Sequence, residues 1–178
     1  MIILIGESGS GKTTILKELE KRGYRAAINH TTREPRDEEL EKGEYIFLSK
    51  DKFEEMWNAN QLLERVEFGG EYYGISSDSL ADDVVTIQIV ETIPMIKQKI
   101  KELGKENVNL SVFYISVPSE ERIQRMLKRG DSIDSIQKRI AIDKEKFTHV
   151  QDVIDYVVEN DDLQRAVEDI IRLSKEEK

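Results

Sequence analysis

An unbroken apolar run, Ile2-Ile3-Leu4-Ile5, leads directly into Gly6-Glu7-Ser8-Gly9-Ser10-Gly11-Lys12-Thr13, and no other stretch of the chain constrains its fold as strongly. The octapeptide has the form G-x-x-x-x-G-K-[ST], a phosphate-binding loop, and it stands where such a loop must, between a strand and a helix. The run before it is short and β-branched, the composition of a strand buried on both faces. The run after it sets Ile15, Leu16 and Leu19 on one helical face, and Gly23 stops the helix. Glycines let the backbone N–H groups wrap an anion, and the helix N-terminus directs its positive dipole end at the same point. Lys12 adds a mobile charge for the outer phosphates, and the hydroxyl of Thr13 suits Mg²⁺. Gly6, Ser8, Gly9, Ser10, Gly11, Lys12, Thr13 and Thr14 are therefore the candidate residues for a nucleoside triphosphate.

At 178 residues the chain can bury one substantial core with excursions, but not a second independent domain. It has no cysteine, which excludes disulfides and thiolate metal sites and fits a reducing, cytoplasmic setting. No apolar run approaches membrane-spanning length. A formal net charge of −9 argues against nucleic acid as a partner, so clustered arginines are the informative charges.

The alternation of patterns predicts five strands separated by helices. These are the first run, Arg25 to Asn29, Val84 to Val90, Leu110 to Ile115 and Ile154 to Val158, forming one parallel α/β sheet with the phosphate loop at a carboxyl edge. Helices are predicted from Ser49 or Asp51 to about Asn58, after Thr92-Ile93-Pro94, from Pro118-Ser119 to Gly130, from about Ser135, and after Asn160-Asp161-Asp162. Two segments break the alternation. One, from about His30 to Ser79, carries strand-like Tyr45 to Leu48 and a hairpin turning on Gly69-Gly70. The other is an arginine-bearing helical pair from Ser119 to Arg139. Excursions of this kind house a second substrate and a closing lid. Within the first, Thr31-Thr32-Arg33-Glu34-Pro35-Arg36 places two guanidiniums in a proline-stiffened loop, suited to bidentate grip on a phosphate.

With these pieces in order, the chain resembles the guanylate kinase family over nearly its whole length. The resemblance rests on the phosphate loop, H-T-T-R-E-P-R, G-E-Y-I-F-L-S, F-E-E-M, L-L-E-R-V-E-F-G-G-E-Y-Y-G, Arg129-Gly130, K-R-I at Lys138 to Ile140, and V-E-N-D-D-L-Q-R-A. It implies a P-loop NTPase fold in one domain. The core would comprise residues 1–29, 80–118 and 140–178, with an inserted mixed α+β monophosphate-binding region at 30–79 and a helical lid at 119–139. It implies ATP and Mg²⁺ as phosphoryl donor and metal, and a nucleoside monophosphate, GMP or dGMP, as acceptor. By position, Arg33, Arg36, Tyr45 and Tyr73 would grip the acceptor phosphate and Glu64 would read the guanine edge. Arg125, Arg129 and Arg139 would close over ATP with Lys12 as the catalytic cations, and Asn160 would lie near the adenine. Such an enzyme would be a cytoplasmic monomer or dimer.

Departures from the family pattern are confined to a few positions. Asn29 stands where a small hydroxyl residue usually precedes H-T-T-R, and Ile75 where a hydroxyl usually follows E-Y-Y-G. An acidic-apolar-acidic triplet is replaced by Gln88-Ile89-Val90. In strict register Val90 replaces a carboxylate that helps read guanine, and Gln88 one associated with the metal. Glu91 follows, but strand alternation would direct it to the other side. Two alternatives therefore stay open. One is a kinase of this architecture for another monophosphate or for ribose 1,5-bisphosphate, and the other is a non-catalytic guanylate kinase-like protein-binding domain. A GTPase switch is disfavoured, because N-K-x-D and D-x-x-G segments are missing.

Overall fold

The computed structural model describes residues 1–35 and 45–176. The apolar run forms strand β1 (Ile2–Ile5) at the centre of a five-stranded sheet. The other strands are β2 (Arg25–Ala26), β7 (Val84–Ile87), β8 (Ser111–Ser116) and β9 (Tyr156–Glu159), in spatial order β2-β7-β1-β8-β9 with every pairing parallel. Alternation along β1 splits the core into two layers. Met1, Ile3 and Ile5 pack with Ile93, Ile96 and Ile100 of helix α3 (Ile93–Glu102), while Ile2 and Leu4 face Ile15 and Leu19 of α1 (Lys12–Lys21) and Ile170 of α6 (Leu163–Leu173).

A second sheet lies in the first excursion. It is formed by β3 (Asn29–Thr31), β4 (Tyr45–Phe47), β5 (Val66–Phe68) and β6 (Glu71–Ile75), in the order β4-β3-β6-β5. β3 and β4 are parallel, whereas β6 runs antiparallel to both β3 and β5. Gly69 and Gly70 take positive φ in the turn between β5 and β6. Helix α2 (Lys50–Asn58), capped by Ser49, presses Phe53 under this sheet against Tyr72, with ring centroids 5.6 Å apart. A Cβ at Gly74 would stand 2.6 Å from the Glu64 carbonyl oxygen, so glycine is what lets the chain around Glu64 lie against β6.

Three predicted boundaries move. The strand expected at Arg25 to Asn29 is divided: Ala27 still donates to Val85, but the Ile28 amide turns to the Ser79 hydroxyl and Asn29 opens β3 in the other sheet. The strand expected to reach Val90 ends at Ile87. The Thr92 hydroxyl donates to the Ile89 carbonyl at 2.8 Å, curling 90–92 into a 3₁₀ turn ahead of α3, whose first turn holds Pro94. The second excursion is α4 (Ser119–Arg129) followed by α5, which begins at Ile133 rather than Ser135 and runs to Lys146, because Ser132 supplies the cap. Among the described residues no helix is long and apolar enough to cross a membrane.

Candidate functional site

The phosphate loop leaves β1 at the carboxyl edge of the parallel sheet and enters α1 at Lys12. Gly11 has φ +92°, and a Cβ there would collide with the Asn160 side chain. Asn160 is buried after β9, and its amide nitrogen donates to the Ser10 carbonyl at 2.7 Å. The residue expected near the adenine therefore also braces the loop from behind. Lys12 folds back across the loop, its Nζ donating to the Gly6 and Glu7 carbonyls at 2.5 and 3.0 Å. Burial lowers its ammonium to about 8, opposed by the carboxylates of Asp143 and Glu7. Thr13 and Thr14 are exposed on the first turn of α1.

The three arginines expected to serve as lid cations occupy different settings. Arg125 on α4 reaches the loop region, donating to the Asn160 carbonyl at 2.7 Å and to Glu121 at 2.6 Å. Arg129, one turn further on, pairs with Asp131 at the surface. Arg139 on α5 lines an open cleft of about 540 Å³ together with Ser8, Lys138 and Asp143. This cleft touches the phosphate loop at Ser8 and opens to solvent.

The acceptor candidates gather on one face of the second sheet. Directly paired residues share a face, so the Asn29–Tyr45, Thr31–Tyr73 and Asn29–Ile75 pairings put Tyr45, Tyr73, Asn29 and Ile75 on one side. The Tyr45 and Tyr73 rings meet edge to face with centroids 6.4 Å apart. Arg33 lies at the end of β3, its guanidinium 5.8 Å from the Phe47 ring centroid and hydrogen-bonded to the Glu34 carbonyl. Arg36 falls outside the described residues. Ile75 belongs to the same core layer as Ile3 and Ile5, which ties this face to the strand that feeds the phosphate loop.

Glu64 is the outlier among the acidic residues. It is 3% exposed, and among the described residues its carboxyl accepts one protein hydrogen bond, from the Ile75 amide at 3.3 Å. Burial drives its pKa up to about 8, and that bond opposes the rise only in part. A carboxyl so buried and so lightly satisfied is the kind of group that a ligand's donors complete.

The guanylate kinase family model matches residues 1–177. The chain is 33% identical over 183 residues to a guanylate kinase of Wolbachia sp. subsp. Brugia malayi, covering 100% of this chain and 93% of the relative. It is 34% identical over 182 residues to a guanylate kinase of Bacillus anthracis, covering 96% and 84%. The chain belongs to the guanylate kinase family. In fold it is similar to the crystal structure of guanylate kinase from Anaplasma phagocytophilum, with TM-score 0.65 and 20% identity over 97% of this chain and 82% of that one.

At the positions where this guanylate kinase family member departs from the usual pattern, the side chains have local partners. Gln88, just past β7, donates to Thr86 at 3.2 Å and accepts from Thr92 at 3.1 Å. Glu91 is exposed and pairs with Lys146 of α5 at 3.2 Å, while Val90 packs against the core. Asn29 donates to the Ala27 carbonyl at 3.3 Å.

One cluster was not legible beforehand. Arg122 of α4 is 7% exposed, pairs with Glu7 at 3.3 Å, and lies 3.8 Å from Asp143 of α5. The Tyr114 hydroxyl, its pKa raised by burial and by this contact, donates to the other Glu7 oxygen. Arginine and aspartate on α4 and α5 read as solvated surface. The one sequence cue was Glu7, an acid inside an anion-binding loop, whose charge needs a cation nearby.

Proposed function

We propose that this chain transfers the γ-phosphoryl group of Mg·ATP to a guanine nucleoside 5′-monophosphate, GMP or dGMP, giving ADP and the diphosphate. The observation that carries the reading is the pairing of a complete phosphate loop with a buried, half-satisfied Glu64 beside the tyrosine face of the second sheet. An oxygen of the acceptor phosphate attacks the γ-phosphorus, the bond to the β–γ bridging oxygen breaks, and its electrons remain on ADP. Such transfer needs in-line placement, cations around the migrating charge and exclusion of water, with little covalent help.

In this reading residues 30–79 hold the acceptor and residues 119–139, α4 with the first half of α5, form the lid. Arg33, Arg36, Tyr45 and Tyr73 grip its phosphate, and the ionised Glu64 accepts from the guanine ring N–H and exocyclic amine. Lys12, Arg125, Arg129 and Arg139 supply the positive charge as the lid closes. Asn160 lies beside the adenine while bracing the loop. Mg²⁺ binds chiefly through phosphate oxygens and water, a mode that the exposed Thr13 hydroxyl and the uncharged Gln88 amide fit, and it would neutralise charge on the transferring group. The enzyme acts in the cytoplasm on small nucleotides, as a monomer or dimer.

Neither alternative is favoured. A sugar-phosphate acceptor has no ring donors to complete Glu64. A non-catalytic domain has no use for Lys12 and the arginines over the loop. A coupled assay across GMP, dGMP, AMP, IMP and UMP tests the proposal. Preference for GMP and dGMP is expected, and a sharp preference for AMP or UMP would overturn the base assignment.

A further inference from the structure

The phosphate loop already holds an anion of the protein's own. The backbone amide of Ser8, inside the loop, donates to Oδ2 of Asp143 on α5 at 2.8 Å. The Asp143 side chain is 13% exposed, and the Arg122 guanidinium stands 3.8 Å from the same oxygen. Arg122 is itself anchored to the loop, pairing with Glu7 at 3.3 Å and reaching the Ser8 carbonyl at 3.4 Å. Asp143 also lies close enough to the Lys12 ammonium to offset part of the effect of its burial. A carboxylate on a loop amide, with a lysine and an arginine at hand, reproduces the contacts that a phosphate oxygen would make.

An amide N–H serves one strong acceptor at a time, and a carboxylate beside a triphosphate adds like-charge repulsion. We propose that Asp143 is an internal counter-anion, which occupies the phosphate loop in the nucleotide-free molecule and must withdraw before triphosphate can seat. Because Asp143 sits on α5, its withdrawal releases one tie between the helical pair and the loop, so nucleotide entry and movement of that pair are coupled. The remaining contacts of Arg122 with Glu7 and Ser8 hold the guanidinium against the loop after Asp143 leaves. This inference rests on the reading that Gly6 to Thr13 binds a triphosphate.

Titration calorimetry with ATP, with inorganic tripolyphosphate and with GMP, on the full chain and on Asp143→Asn and Asp143→Ala, tests it. Asp143→Asn keeps the shape and removes the charge, so it guards against misfolding of the smaller variant. ATP and tripolyphosphate should each bind about tenfold more tightly to Asp143→Ala than to the natural chain, with Asp143→Asn between them. GMP affinity should not change, which reports an intact fold. Equal or weaker ATP binding in both variants, with GMP affinity preserved, would overturn the proposal. Failure of ATP and tripolyphosphate to bind any of the three proteins would instead remove the triphosphate reading and this inference with it.

Discussion

The phosphate loop and the second sheet solve opposite problems. The phosphate loop is braced from within: Lys12 lies on the Gly6 and Glu7 carbonyls, the Ser8 amide on Asp143, and Asn160 on the Ser10 carbonyl. The sheet bearing Tyr45 and Tyr73 consists of strands three to five residues long, exposes Ile46 and Phe68, and buries a carboxyl with one modest hydrogen bond. A loop that must grip the same triphosphate in every turnover profits from cations held in place beforehand. A surface that must choose one base profits from a polar group left incomplete, because a ligand without the matching donors then leaves it unsatisfied.

The largest effect should come from the phosphate loop. Lys12→Ala should lower kcat by about 10²- to 10³-fold, the scale of losing one preorganised group from a transition state. GMP affinity, measured by calorimetry, should stay within about twofold of the natural chain. A parallel fall in GMP affinity would show that the two regions do not work separately.

At the second sheet, Glu64→Gln should reduce discrimination of GMP from AMP by about ten- to a hundredfold, equivalent to about 1–3 kcal/mol for one mispaired buried group. ATP affinity should not follow. Coupled assays of kcat/KM for both acceptors read the first quantity and calorimetry the second. Unchanged discrimination would reassign Glu64 to a purely structural place under β6.

The phosphate loop and its strand and helix were legible because local chemistry specifies them: spacing, glycine and one buried run. Four of the five parallel strands were legible for the same reason, as runs rich in β-branched residues between breakers, whereas β2 is only Arg25–Ala26 and carries none. Two strand ends were not. At Ile28 and Ser79 the chain changes sheets through a side-chain hydrogen bond, and at Thr92 a hydroxyl curls a run that reads as strand. Neither event alters hydrophobic periodicity. The proposed acceptor face became readable only through family resemblance, since Tyr45 and Tyr73 are ordinary strand residues and Glu64 an ordinary acid ahead of β5 until β3 and β6 pair. The Glu7–Arg122–Asp143 cluster joins residues more than a hundred positions apart, and charged residues on helices carry no signature of burial.

A smaller change should follow from Arg33→Ala. Its guanidinium lies near the Phe47 ring at the open rim of the second sheet, so its loss should raise KM for GMP about tenfold with kcat nearly held. Steady-state kinetics at saturating ATP measures this. A loss confined to kcat would move Arg33 from gripping the acceptor to stabilising the transferred group.

The last effect is a pH slope, no more than about tenfold in the folding equilibrium per pH unit, and its sign follows from Glu64 alone. Unfolded, this carboxyl titrates near 4.5, whereas burial raises it to about 8 in the folded protein. Between those values the folded state holds a proton that the unfolded state has lost, so the Glu64 contribution to stability falls as pH rises, by no more than about 1.4 kcal/mol per unit. Below pH 4.5 both states are protonated and the contribution is flat. Urea unfolding of the natural chain and of Glu64→Gln at pH 5, 6, 7 and 8 isolates it, because the glutamine variant lacks this titration. The stability of the variant relative to the natural chain should therefore grow across the series. GMP binding should run the other way, tightening toward pH 8 as the carboxylate becomes available to the ring donors. A stability difference independent of pH would mean that Glu64 is already ionised in the empty protein. The second sheet would then be as fully prepared as the phosphate loop, and the contrast between the two would disappear.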